Sequence, residues 1–179
     1  MRVLVLDGNP DADDKSYGAI LSTFVQKLIF EGKPVEVVTL HQKNIKQCVG
    51  CWTCWVNMPG KCMLKDDVEG ILMKIVESDL VIFASPIILG FMSSLLKRFT
   101  DRMIPLVLPY FQVLEGEIHH VPRYENRPLL AAVVVAEEET DREDHEIIFD
   151  IYTRNALNLS TKLSMYKVFD RNGEELASR

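Results

Sequence analysis

The chain has 179 residues, 47% of them hydrophobic and 26% charged, the mix of a globular protein rather than a fibrous or disordered one. Twenty Lys and Arg against 26 Asp and Glu leave a net charge of −6, which argues against a nucleic-acid binder that works by neutralising phosphates. A chain this long buries roughly 70% of the surface it exposes when unfolded, so its core needs neither metal nor disulfide.

No segment approaches the ~20 apolar residues of a membrane span, and the longest candidate, Leu80 to Met92, is broken by Ser85, Pro86 and Gly90. The apolar run between Arg2 and Asp7 is too short for the core of a secretory leader, so the expected location is the cytoplasm.

In chain order, strands and helices alternate. Val3 to Leu6 is a short aliphatic strand that ends at the turn Asp7-Gly8-Asn9-Pro10. Leu21, Phe24, Val25, Leu28 and Ile29 then recur at the spacing of one buried helical face, ended by Gly32 and Pro34. Val35 to Leu40 reads as a second strand. Val68, Ile71, Leu72, Ile75 and Val76 repeat the helical spacing, with Asp66 or Asp67 available as N-cap.

Leu80 to Ala84, apolar on both faces, is a third strand suited to the middle of a parallel sheet. Met92, Leu95, Leu96, Phe99 and Met103 form a third helical stripe stopped by Pro105. Leu129 to Ala136 is a fourth strand, and Thr140 with Glu143 has the spacing of a capping box opening a last helix through Ile147, Ile148, Ile151 and Tyr152. Met165 to Phe169 is a fifth strand. The alternation predicts one α/β domain over residues 1–179 with a cysteine-containing insertion at about 41–65. Its sheet is a doubly wound, five-stranded parallel one, in the flavodoxin-like order 2-1-3-4-5 with helices on both faces.

Such sheets bind ligands beyond the carboxyl ends of strands one and three. Here those ends are Asp7 to Tyr17 and Ser85 to Phe91. In the first loop, Asn9, Ser16 and Tyr17 offer polar donors and Lys15 a countercharge for a phosphate, but four aspartates in eight positions equally suit a solvated acidic turn. The second loop, Ser85-Pro86-Ile87-Ile88-Leu89-Gly90, is too apolar for an ordinary surface loop. It reads as the bed of a flat aromatic ligand or as a dimer contact.

Cys48, Cys51, Cys54 and Cys62 have the spacing C-x2-C-x2-C-x7-C. That spacing allows three corners of a [4Fe-4S] cluster with the fourth supplied across Pro59-Gly60, a tetrahedral zinc site, or simply packed thiols among Trp52 and Trp55. His119 and His120 form either a ligand pair or part of a surface loop. His41 and His145 read as surface residues. Lys97 and Arg102 are assigned to the polar side of the third helix, with Asp101 pairing to Lys97. The stretch Met103 to Phe111 is apolar enough to be buried by a second copy of the chain.

The chain resembles the NAD(P)H-dependent FMN reductase group of the flavodoxin-like superfamily. The likeness rests on Gly8-Asn9-Pro10 leading to Ser16, on Cys48-Val-Gly-Cys51-x-x-Cys54 with Cys62-x-x-x-Asp66-Asp67, and above all on Ser85-Pro86-x-x-x-Gly90-x-x-Ser93 followed by Lys97-x-Phe99-x-Asp101-Arg102. It covers roughly the first 105 residues well. It implies an FMN phosphate held by Asn9, Pro10, Lys15, Ser16 and Tyr17, and an isoalloxazine ring along Ser85, Pro86, Ile87, Ile88, Leu89 and Gly90. NAD(P)H would be the co-substrate, and a small molecule such as a quinone, a flavin, an azo compound or a metal ion the electron acceptor. A homodimer with no nucleic-acid or membrane partner is also implied.

The cysteine motif is similar to that of iron–sulfur flavoproteins, so an electron-transfer protein carrying FMN and [4Fe-4S] is an alternative. The chain departs from the group at Asp11, where an arginine is usual, and at Glu137-Glu138-Glu139, where small residues are usual. Those departures favour a third reading, a cofactor-less interaction module. No side chain is assigned as a general acid or base.

Overall fold

A computed structural model describes residues Met1–Arg179. Five parallel strands form the centre: β1 (Val3–Asp7), β2 (Val35–Thr39), β3 (Leu80–Ile88), β7 (Leu129–Val135) and β8 (Leu163–Phe169). Their spatial order is β2-β1-β3-β7-β8, the expected 2-1-3-4-5. The sheet is wider than expected, because β9 (Glu175–Ser178) adds to β8 antiparallel. A short β4 (Phe91–Met92) folds back on the end of β3.

Side-chain alternation along these strands builds the two layers. Val3, Val5, Leu80, Ile82, Ala84, Ala131, Val133 and Val135 point to one face, where α1 (Lys15–Phe30) lays Tyr17, Ile20, Leu21, Phe24 and Leu28 on them. Leu4, Leu6, Val81, Phe83, Leu130, Ala132 and Val134 point to the other face. There they meet α3 (Val68–Glu77), α4 (Ser94–Thr100) and α5 (Arg142–Asn158). Strands buried on both faces explain why their sequences are unbroken apolar runs.

Between β2 and α3, residues 41–65 hold only the end of a 3-10 turn and the four-residue α2 (Thr53–Val56). Between α4 and β7 the chain makes a two-stranded hairpin, β5 (Val107–Leu114) and β6 (Glu117–Pro122).

Several local expectations are corrected. The last helix is capped by Asp141 and Asp144, one residue past the expected Thr140–Glu143 pair. Thr140 instead accepts from the Glu137 N–H at 2.9 Å, closing a turn that delays the helix. Arg102 is not on a polar helix side but buried, its guanidinium against Asp66. Lys97 does pair with Asp101.

His119 and His120 are on β6 rather than in a surface loop, and His119 is buried. His41 bonds the Asn9 carbonyl, and His145 Nδ1 is buried without a partner. Of the Met103–Phe111 stretch, Leu106 and Val107 are buried in the chain's own core, while Tyr110 and Phe111 face solvent.

Candidate functional site

The carboxyl ends of β1, β3 and β7 bring three loops together, and one serine joins two of them. Ser93 donates from its hydroxyl to the Gly8 carbonyl, accepts from the Leu96 N–H as N-cap of α4, and receives the Ser85 hydroxyl oxygen as acceptor for its own N–H at 2.9 Å. Gly8 lies so close to α4 that a Cβ there would sit 2.6 Å from Leu96 Cβ. Ser85, Pro86 and Ile87 are therefore buried supports of the loop, not exposed contacts.

Beyond them the strand runs on through Ile88, pairs back with Phe91, and turns over Leu89-Gly90 with φ of 52° and 75°. Two successive positive φ values make a tight hairpin turn, a position where glycine is at ease and leucine is not. Ile88 is partly exposed, and Leu89 is fully exposed. An aliphatic tip thus stands in solvent at the switch point of the sheet. Gly90 itself abuts α5, since a Cβ there would come 2.5 Å from Asp144 Oδ1.

Loop one is organised by its own aspartates and by Asn9. The buried Asn9 side chain both accepts from the Asp11 N–H and donates to the Asp11 carbonyl. Tyr17 is buried, and its hydroxyl donates to Asp7 at 3.0 Å. Burial raises the Asp7 carboxyl above its ordinary value, despite opposing help from the Asn9 N–H and Tyr17. The Ser16 hydroxyl donates to the Arg171 carbonyl. That leaves Lys15, exposed and with no ion-pair partner in the chain, and the exposed Pro10 as the groups facing outward.

Sequence reasoning missed Arg171. Its guanidinium bridges Asp14 at 2.6 Å and both oxygens of Glu137, joining loop one to the loop after β7. At Asp14, burial works to raise the carboxyl, but Arg171 and the N–H groups of Tyr17 and Ser16 outweigh it and hold it low. One guanidinium thereby offsets one of the two negative charges that Asp14 and Glu137 bring to this end of the sheet. The signal was the Asn172-Gly173 turn, which marks a β8–β9 hairpin and so places Arg171 beside loop one.

The cysteines lie elsewhere, against the end of α4. All four line one small cavity with Asp101, Arg102 and Ile104. None is disulfide-bonded, and Cys51 is exposed. Hydrogen bonds from Thr53 pull the Cys51 thiol down, whereas burial and the neighbouring Cys62 push Cys54 up. No three His, Cys, Asp or Glu side chains converge closely enough to hold a single metal ion.

Arg102 forms the cavity's inner wall. It grips Asp66 bidentately at 2.8 and 3.1 Å and donates to the Lys46 carbonyl at 2.7 Å, yet its Nε is buried without a partner.

The model of the NADPH-dependent FMN reductase family matches residues 1–157. An iron–sulfur flavoprotein of Methanocaldococcus jannaschii is 33% identical over 106 residues, 59% of this chain and 53% of that protein. One from Archaeoglobus fulgidus is 33% identical over 108 residues, covering 59% and 46%. The matches thus span about half the length of these relatives.

Among solved structures, the NAD(P)H:quinone oxidoreductase from Methanothermobacter marburgensis superimposes with a TM-score of 0.71 at 17% identity, over 96% of this chain and 84% of that one. An FMN-dependent NADH-azoreductase from Bacillus anthracis, solved in complex with FMN, gives 0.65 at 11% identity, over 96% and 87%. At these identities the likeness is one of fold. No helix is long and apolar enough to cross a membrane.

Proposed function

Because the chain belongs to the NADPH-dependent FMN reductase family, we propose that it binds FMN across the loops after β1, β3 and β7 and reduces a small acceptor at the expense of NADH or NADPH. The observation that carries this reading is the exposed aliphatic tip Ile88-Leu89 at the switch point, with the unpaired Lys15 opening the helix that follows β1. A flat apolar ligand lying on this tip would take its exposed aliphatic surface out of water.

The donor set fits a phosphorylated aromatic ligand. Lys15 would pair with the phosphate and Asn9 and Pro10 would shape the loop, whereas the Ser16 and Tyr17 amides of α1 are held by its N-cap Asp14. Ile88, Leu89 and Gly90 would form the bed of the ring, braced by Ser85, Pro86 and Ile87. Arg171 pairs with both Asp14 and Glu137 and offsets one of their two charges, which lessens the repulsion the acidic loops would exert on the ligand. Tyr17 supports Asp7 from inside and has no free hydroxyl to offer. FMN, when bound, supplies the hydride chemistry, so no side chain need act as an acid or base.

Exposed Tyr110, Phe111, Val113 and Ile118 on the β5–β6 hairpin, with Val49 and Val56 in the cysteine segment, support a homodimer. Sedimentation at micromolar concentration tests that part.

The cysteines favour a second component. Four thiols around one cavity, with a buried guanidinium whose Nε lacks an acceptor, suit an anionic four-thiolate cluster better than a single zinc ion, for which the side chains are too spread. Cys48, Cys51, Cys54 and Cys62 would be the ligands of a [4Fe-4S] group, and the 48–62 segment must open to admit it.

A visible spectrum of protein purified without oxygen tests both parts. A flavin spectrum bleached by NADPH supports the reductase, and stoichiometric iron and sulfide support the cluster. Colourless protein that also ignores added FMN would leave the cofactor-less interaction module.

A further inference from the structure

A cleft of about 270 Å³ lies where the carboxyl-terminal turns of α4 and α5 meet the β5–β6 hairpin. One wall is aromatic. Trp52 stacks on Trp55 at 4.9 Å and 23°, Trp55 meets the His120 ring at 4.9 Å, and Phe111 backs His120 at 4.8 Å. Phe83, Met103 and Leu159 complete the apolar lining.

The wall is rigid. Trp55 Nε1 donates to the Val107 carbonyl at 3.0 Å, and Trp52 is held at φ 57°, a conformation a bulky residue rarely adopts. Even so, Trp52 keeps half its surface in solvent.

Three polar side chains line this cleft with hydrogen-bonding capacity left over. His120 Nδ1 lies 2.9 Å from the Leu108 carbonyl, which can only accept, so the proton is on Nδ1 and the neutral ring offers Nε2 as an acceptor. Asn158 Oδ1 is engaged by His119 Nδ1 at 3.1 Å, which leaves its amide N–H groups to donate. The Asn155 amide makes no hydrogen bond within the chain. No Asp, Glu, Lys or Arg lines the cleft, which suits a neutral ligand.

Concave, mostly apolar and holding a few convergent polar groups, the cleft has the composition of a ligand site. Its volume falls just under the ~300–1,000 Å³ of pockets for drug-sized molecules, which suits one or two rings and excludes a flavin nucleotide. We propose that it binds a small, neutral, planar aromatic molecule bearing a carbonyl and a hydroxyl. The ring lies on Trp52 and His120, the carbonyl accepts from Asn155 and Asn158, and the hydroxyl donates to His120 Nε2. This site is independent of the flavin reading and is tested with no FMN present.

The chain has two tryptophans, Trp52 and Trp55, and both line the cleft, so both indole N–H cross-peaks of a ¹⁵N spectrum report on it. 4-Hydroxyacetophenone serves as the probe. Both cross-peaks are expected to shift saturably. Asn155→Leu, a good helix former at a helical position, should weaken binding about fivefold, the worth of one neutral hydrogen bond. Trp52→Ala should weaken it through loss of the stacking wall, as read from the Trp55 cross-peak. No saturable shift up to about 10 mM, beyond the range of weak millimolar binding, overturns the proposal. So does an affinity unchanged by both substitutions.

Discussion

Arg102→Met is the most informative single substitution for the architecture beneath the cysteine segment. The Arg102 side chain is 1% exposed and that of Asp66 is not exposed at all, so removing the guanidinium strands a carboxylate out of water. Breaking a buried pair from one side costs about 3–5 kcal/mol. Asp66 keeps the N–H groups of Lys46 and Val68 at 2.9 and 3.2 Å, which places the expected loss at the low end. The freed Lys46 carbonyl adds about 1 kcal/mol.

At about 2–4 °C per kcal/mol for a chain of this size, a loss of about 4 kcal/mol should lower the melting temperature by roughly 8–16 °C at pH 7. The pH dependence gives the cause away. Burial alone would raise Asp66, but Arg102 and the two N–H groups outweigh it and hold its pKa below the ordinary 3.8. In the native protein this contribution is therefore intact above pH 3.8 and is lost as pH falls through the folded value. In the variant the stranded carboxylate has a raised pKa, so protonation at pH 4.5 relieves it and the gap between the two proteins narrows. Adding Asp66→Asn, which keeps an acceptor without the charge, should recover part of the loss. A fall of under about 2 °C, or a gap that does not change with pH, would refute the reasoning.

Leu89→Lys removes the exposed aliphatic tip and should change stability by no more than about 0.5 kcal/mol, while weakening FMN binding in a fluorescence titration. Gly90→Val, by contrast, is expected to destabilise the fold itself by about 1–3 kcal/mol. At φ 75° a β-branched residue is strained, and its Cβ would meet Asp144, half of the α5 capping box, as a urea titration should detect. Arg171→Met strands Asp14 and Glu137 at the flavin edge, so the FMN dissociation constant should rise at low salt and recover partly at high salt, where exposed charges are screened.

The central strands were legible because burial on both faces leaves nothing but apolar residues, and the two helical periods on either side of the cysteines were equally plain. The end of β3 was not. Pro86 normally stops a strand, yet it pairs with Val135 in register, where the sheet still has room for a residue without an N–H. Arg102 was misplaced because its partner Asp66 is 36 residues away, and no local pattern distinguishes a buried arginine from a solvated one.

The capping box slipped by one because Thr140–Glu143 and Asp141–Asp144 share the same spacing. The β5–β6 hairpin turns at Glu115-Gly116, with φ of 51° and 83°, where no Asn-Gly or Asp-Gly marks it. At the candidate flavin site, the loops could be located from topology alone. What each side chain does there could not be read from the sequence, because Asn9, Tyr17 and Ser85 spend their polar atoms inside the protein.

The most direct test is to titrate FMN into cofactor-free protein while following the melting temperature and the bound-flavin spectrum. A ligand that binds only the folded state at about 100 times its dissociation constant adds about 2.7 kcal/mol, and at about 2–4 °C per kcal/mol that is a rise of roughly 5–11 °C. The account predicts that rise, a saturable 1:1 spectrum, and bleaching on addition of NADH or NADPH. An unchanged melting temperature with excess FMN, and no bound flavin after gel filtration, would contradict it.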